Sequence, residues 1–412
     1  MKTFGPRPAV SAQRHNKGDA LEPRCVLRCN CRVRWAWLGL LVVACTAAPT
    51  GAASPSPRPT SRPVPSTFLA ATSFLGARTA WVSVYSYKSR DSRLFKTDDA
   101  GHTWEQVLSV KGATHPLQAL DGREVVVQIM TDPGPPLQTS IYRTLDGGAH
   151  WTSAPAPSNP FPAPPPVMFL DVRQGWFLQM PRNLTGPRVL FHTVDGGKSW
   201  DDMAHLDMGY DITFRDSSTG WLARGPQGGS PALMMTRDGG LSWTTQPLTA
   251  PVNAVAGDAR TTAPHFLDAR QGKLTVHILS TAQPLRELER YAYSSHDGGE
   301  TWTVAGRLPV AKVGNDDYGT QTSFQDGLRG WAGSGTSLFK TSDGGATWTN
   351  VATSLPRRAF YFAELSVFSD RVAWGQISDF SKREGHQPIF VLVRTADGGA
   401  HWTAIEVPGL DG

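Results

Sequence analysis

Seven aspartates each stand two residues after a serine or threonine and five before a tryptophan: Asp99, Asp146, Asp195, Asp238, Asp297, Asp343 and Asp397. Their tryptophans are Trp104, Trp151, Trp200, Trp243, Trp302, Trp348 and Trp402. A carboxylate can serve as general acid, general base, nucleophile or oxygen ligand to calcium. Glycoside cleavage needs two carboxyl groups about 5 to 10 Å apart, and a calcium loop needs several oxygens in one short stretch. Each of these phrases offers one Asp, so neither a catalytic pair nor a metal site is expected, and no cofactor is implied. The phrase Ser/Thr-x-Asp-x-Gly-x-Ser/Thr-Trp describes a closed turn instead. Its Asp accepts hydrogen bonds from backbone N–H groups of its own turn, its Gly supplies a positive φ, and its Trp covers the loop. Only the seventh position wanders, to His150 and His401.

A second group of reactive residue types lies in "LRELERYAY", where Glu287, Glu289, Tyr291 and Tyr293 follow the period of a strand. A tyrosine beside a glutamate can be activated as a nucleophile. Alternation predicts that all four share one face, which is equally the pattern of a solvated strand side.

The elements that must carry these residues are strands. Runs such as "SRLFKT", "RVLFHT" and "IFVLVRT" precede the Asp turns, and "TWEQVLSV" or "HWTAIEV" follow them. A Trp-led strand stands before most turns, as in "RTAWVSV", "RQGWFLQ", "STGWLAR", "LRGWAGS" and "RVAWGQI", while "REVVVQI" and "GKLTVHI" replace it in the second and fifth repeats. Successive aspartates are spaced by 47, 49, 43, 59, 46 and 54 residues, room for four short strands and their connections. Four-stranded units bury their faces by radial repetition, so the fold class is all-β, a seven-bladed β-propeller with one Asp turn in every blade. Blade limits fall near 67–110, 111–157, 158–206, 207–250, 251–309, 310–355 and 356–412.

The net charge of +5 belongs to the leader, because ten of the 40 Lys and Arg lie in residues 1–66 against only Asp19 and Glu22. The body is left slightly acidic, which gives it no general attraction to nucleic acid. Cys25, Cys29, Cys31 and Cys45 are the only cysteines, so no disulfide supports the body. Residues 1–44 have the layout of a secretory signal with an over-long, disordered n-region, its apolar run Trp35 to Ala44 being too short to span a bilayer. "VVAC" resembles the lipobox of bacterial lipoproteins, which implies lipidation of Cys45. Residues 45–66, rich in Pro, Ser and Thr, form a flexible tether to the propeller of residues 67–412.

The "GW" strands and "T-x-DGG-x-TW" turns resemble the Asp-box, or bacterial neuraminidase repeat, propellers, and most of all the photosystem II assembly and stability factor-like group. The resemblance implies an exported, membrane-anchored and non-enzymatic propeller that binds a membrane or exported protein as a monomer. Asp boxes also occur in sialidases and xyloglucan-cleaving enzymes, so a glycan-cleaving or glycan-binding propeller is the alternative. A sialidase-like site would need three converging arginines and an Arg-Ile-Pro signature that the chain lacks. Variable loops on the face opposite the Asp turns are the better binding surface. There Lys88, Arg90, Arg182, Arg357, Arg358, Lys382 and Arg383 form a candidate basic rim for an acidic peptide loop.

Overall fold

The structure is a computed structural model that describes residues 67–410, apart from 133–135, 137, 162–164, 184–185, 226, 229, 283–285, 310–319, 357–360 and 380–388. The signal, Cys45 and the tether lie outside the described residues, as do Arg357, Arg358, Lys382 and Arg383. Every described element is a strand or a turn, and the strands form seven antiparallel sheets that make a seven-bladed β-propeller. The sheets span 67–111, 113–155, 167–206, 211–247, 258–307, 320–351 and 361–404, called blades 1 to 7. Five are four strands consecutive in the chain, and in blade 4 the strand Gln227–Gly228 intervenes between the second and third. Blade 5 is augmented: its innermost strand Asp258–Thr261 also pairs with Gln227–Gly228, which reaches over from a loop of blade 4. First strands of successive blades lie against one another and line the axis.

The Asp turn repeats with the same bonds in every blade. In blade 3 Thr193 Oγ1 donates to Asp195 Oδ1 at 2.9 Å, Gly197 N–H donates to Thr193 Oγ1 at 2.8 Å, and Ser199 donates through N–H and hydroxyl at 3.0 and 2.7 Å. Both glycines of the turn carry positive φ, and at Gly148 (φ +100°) a Cβ would lie 2.7 Å from Val107, so a side chain is excluded there twice over. A second bond ties each Asp turn to the turn between first and second strands of its own blade. Gly147, Gly196, Gly239, Gly298, Gly344 and Gly398 donate N–H to carbonyls of Arg123, Arg173, Ser218, Arg270, Leu328 and Arg371 at 2.7 to 2.9 Å. These two sets of turns therefore share one face of the disc.

Packing between blades follows from the second-strand tryptophans. Trp81, Trp176, Trp221, Trp331 and Trp374 are all buried and pack in the apolar clusters that join each blade to the next. There they meet the next blade's turn tryptophan, edge-on at 6.5 Å for Trp81 and Trp151 and 6.4 Å for Trp331 and Trp402. Strand register puts Val126 and Lys273 at this position in blades 2 and 5. Lys273 reaches into blade 6, donating to the carbonyls of Gly327 and Gly344 at 2.9 and 3.0 Å and to Ser294 Oγ at 2.8 Å. Its ammonium lies 4.4 Å from the centre of the Phe324 ring, and burial pushes its pKa down to about 8. The lysine thus replaces both the apolar bulk and the N–H donor that Trp176 directs to the carbonyl of Gly239 at 3.0 Å. Lys273→Ala is expected to lower unfolding free energy by about 2 kcal/mol in urea denaturation, because two buried carbonyls lose their donor.

Candidate functional site

The repeated aspartates are structural. All seven are held below the ordinary carboxylate range, Asp238 at about 2 chiefly through the hydroxyl of Ser242, and each is engaged by its own turn. They are ionised at neutral pH and have no proton to give a leaving group. Among the described residues no group of three His, Cys, Asp or Glu side chains could hold a metal.

The four residues of "LRELERYAY" do not share a face. A β-bulge at Leu288 shifts the register between Ile278 and Leu279, so Glu287 turns to the side opposite Glu289, Tyr291 and Tyr293. It lies with His277 and Arg290, bonding His277 Nδ1 at 3.0 Å and Arg290 Nε at 2.5 Å. Burial raises its pKa less than these two partners lower it, and it rests at about 2. On the other side Tyr291 donates to Glu289 Oε2 at 2.8 Å, and Glu289 also accepts from Val255 N–H and pairs with Arg307, both at 3.0 Å. That tyrosine and glutamate have the chemistry of an activated nucleophile, but Tyr291 is 6% exposed, packs among the residues joining blades 4 and 5, and has its pKa raised by burial. The same sheet aligns Arg260, His277 and Arg290 across three strands. Arg260 lies 4.5 Å over the ring of Tyr210 and donates Nε to its hydroxyl at 3.0 Å. The network runs from the buried Arg290, whose Nη1 has no hydrogen-bond partner among the described residues, to the exposed Arg260.

The face opposite the Asp turns is different at blade 1. The second strand Ala80–Ser86 and third strand Asp91–Thr97 pair until Ser86 and Asp91, so the loop is only Tyr87 to Arg90. Arg90 adopts a left-handed φ of 55° and its N–H donates to Ser86 carbonyl at 2.8 Å. Lys111 Nζ donates to the carbonyl of Ser89 at 2.8 Å. The loop is thereby fixed, with Lys88 and Arg90 exposed and making no hydrogen bond through their side chains among the described residues. Beside it three aromatic rings touch one another: Phe68 and Tyr85 at 5.4 Å, Phe68 and Tyr87 at 5.2 Å, and Tyr85 and Tyr87 at 5.5 Å between centres. Tyr87 is 48% exposed. Two basic side chains thus stand on one hairpin beside an aromatic triad whose third ring, Phe68, comes from the first strand. Arg182 is exposed two blades away, in the corresponding region of blade 3, so the structure groups Lys88 and Arg90 but not Arg182.

Sequence reasoning named Lys88 and Arg90 and missed the rings. Phe68 is separated from Tyr85 by a whole strand and turn, and only the pairing of Phe68 with Tyr85 brings them together. The "YSY" repeat was the available signal, since alternate residues share a face.

No protein-family model and no curated protein matches the chain. Solved structures share its fold. YCF48 bound to D1 peptide is 16% identical over 81% of this chain and 92% of its own, with a TM-score of 0.48. A GH74 xyloglucanase from Xanthomonas campestris is 11% identical over 84% of this chain and 69% of its own, with a TM-score of 0.52. The GH93 α-L-arabinofuranosidase of Fusarium graminearum is 14% identical over 82% and 95%, with a TM-score of 0.48. At identities this low the likeness is one of fold alone.

Proposed function

We propose that this chain is a non-enzymatic protein-binding propeller, exported and held at a membrane through lipid on Cys45, that supports the assembly of a membrane or exported protein. The observation that carries the reading is the rigid hairpin of blade 1, where Phe68, Tyr85 and Tyr87 stand beside Lys88 and Arg90. Aromatic and arginine side chains dominate protein-binding hot spots, and a loop ordered before binding loses little entropy on docking. The basic pair selects an acidic neighbour on the partner. The glycosidase alternative lacks support, because Glu287 and Glu289 are both committed to ion pairs and the seven turn aspartates to their own hydrogen bonds.

The test compares wild type with Tyr87→Ser and with Lys88→Glu/Arg90→Glu, all purified from native membranes with their bound proteins, alongside Cys45→Ala. Both hairpin variants are expected to lose about tenfold or more of the partner retained by wild type, equivalent to about 1.4 kcal/mol, while keeping the wild-type melting temperature. The Cys45→Ala protein should move to the soluble fraction with its hairpin binding intact. Equal retention by wild type and both hairpin variants, or release of sugar from glycans by the wild type, would sink the reading.

A further inference from the structure

Where blade 7 meets blade 1, the contact holds an acidic side chain with no base opposite it. Glu364 stands on the innermost strand Tyr361–Val367, and its carboxyl accepts from the hydroxyl of Thr72 on Thr67–Phe74, the innermost strand of blade 1. Neither strand carries a lysine, arginine or histidine, nor do Ala373–Asp379, Thr320–Phe324 and Gly330–Ser334, which lie against Tyr361–Val367. The other ionisable residues on these strands are Tyr361 and Asp379. Two arginines reach the contact from the third strands of their blades, and both are turned to carbonyls: Arg394 donates to Ala77 at 3.1 Å and Arg93 to Gly409 at 3.4 Å.

Register settles which side chains look the same way. A bulge at Ala363 leaves Glu364 opposite Gln376, and Gln376 shares its face of the strand with Trp374, which stacks on Phe74 of blade 1. Ser378 lies two residues further along on that face, with the strand regular between them. Side chains directly opposed across a pair stand about 5 Å apart at Cβ, and same-face neighbours on one strand about 7 Å. The hydroxyl of Ser378 is fully buried and has no hydrogen-bond partner among the described residues. The Gln376 amide has none there either. One carboxylate, two hydroxyls and one amide are thus gathered on the facing sides of a single blade contact.

All four groups offer oxygen, the donor that hard cations take. We propose that Glu364, Thr72, Gln376 and Ser378 hold a monovalent metal cation, sodium or potassium, between blades 7 and 1. A single carboxylate cancels one positive charge, whereas a divalent ion would keep a charge uncompensated in an apolar surround, at greater cost. That surround includes Leu69, Trp374 and Leu392, all buried, so an organic ammonium would have to part packed side chains to enter. Burial raises the pKa of Glu364 to about 7 while the Thr72 bond opposes, so proton and cation compete for the same oxygens near neutral pH. Without a metal cation, stability from the protonated carboxyl is fully present below pH 4.5 and is lost as pH rises through about 7. A bound cation offsets that loss. The site does not rest on the reading of the blade 1 hairpin.

The test follows the melting temperature of the full chain from pH 5 to 8 in sodium, potassium and choline chloride, all at an ionic strength of about 0.15 M so that screening is equal. At pH 8 the melting temperature is expected to be about 2 °C higher in sodium or potassium chloride than in choline chloride, as a site about tenfold above its dissociation constant gives. The difference should vanish at pH 5, where the proton wins, and at every pH in Glu364→Gln. Ser378→Ala should shrink the response severalfold without lowering the melting temperature in choline chloride, since that hydroxyl has no protein partner to lose. Rubidium-soaked crystals should show an anomalous peak beside the Glu364 carboxyl. Identical curves in all three salts, a sodium or potassium effect that persists in Glu364→Gln, or a larger gain from calcium at matched ionic strength overturns the proposal.

Discussion

Trp374→Ala will lower the free energy of unfolding by about 4 kcal/mol, the largest effect expected of a single truncation at a blade interface. Trp374 is fully buried where blade 7 meets blade 1, stacked on Phe74 at 5.5 Å and 16°, with Arg394 at 5.6 Å from the ring centre. Its Nε1 donates to the carbonyl of Gly76 at 3.1 Å, and Arg394 Nε donates to the carbonyl of Ala77 at 3.1 Å. Among the described residues no strand crosses this seam, since blade 1 is built from residues 67–111 and blade 7 from 361–404. Among the described residues the ring is closed there by side chains packing on one another and bonding to backbone carbonyls. The change should therefore also increase proteolysis near residues 75–80, a local opening that Val126→Ala, expected to cost about 1 kcal/mol, will not produce. Urea denaturation with parallel limited proteolysis checks both outcomes. A loss below about 1 kcal/mol would show that the seam is closed by something other than this ring.

Glu364→Gln will make the protein more stable at pH 8 and leave it nearly unchanged at pH 5. Glu364 lies on the innermost strand Tyr361–Val367, beside the seam, with its carboxyl against the hydroxyl of Thr72 from the innermost strand of blade 1. Its cross-strand neighbour is Gln376. Burial pushes its pKa up to about 7, with the Thr72 bond opposing, and no charged group contributes. The folded state therefore holds a proton that the unfolded state has released above pH 4.5. Stability from this group is fully present below that value and is lost as pH rises through about 7, by about 3 kcal/mol at most. Glutamine keeps the hydrogen-bonding shape of the protonated acid and carries no charge. Melting curves of the two proteins from pH 5 to 8 should diverge steadily, and parallel curves would mean that Glu364 is already solvated as a carboxylate in the folded ring.

The blade count was legible because each Asp turn is a local object: Thr193, Asp195, Gly197 and Ser199 satisfy one another within seven residues. What escaped sequence reasoning depends on register or on neighbours. The bulge at Leu288 that sends Glu287 to the other side of its strand leaves no mark in a pattern of alternate residues. Lys273 reads as a polar residue in a strand, and only the neighbouring blade shows that its ammonium fills a tryptophan's place. A further periodic feature was present but unread. Asp121, Asp171, Asp216, Asp268 and Asp326 each accept two N–H groups in the turn between first and second strands, a role that Ser369 takes in blade 7. Their short "Asp-x-Arg", "Asp-Ser-Ser" and "Asp-Gly-Leu" contexts are too common to stand out without the hydrogen bonds they anchor. The blade 1 hairpin combined both cases, since its lysine and arginine were visible and its aromatic neighbour Phe68 was not.

Because the four strands of nearly every blade are consecutive in the chain, the order in which the ring assembles is set by synthesis. Each sheet has all its own strands as soon as its Asp turn and fourth strand have left the ribosome, so pairing need not wait for distant residues, and loop closure within a blade is short. Blade 1 then presents Leu69, Val82 and Val84 to solvent throughout the making of the other six, since the surface that covers them, Trp374 and Leu392, comes last. The nascent propeller carries this uncovered apolar edge, together with the leading face of its latest blade, until its final fifty or so residues are made. That interval, more than the finished disc, is when the chain is open to aggregation and to the attention of chaperones.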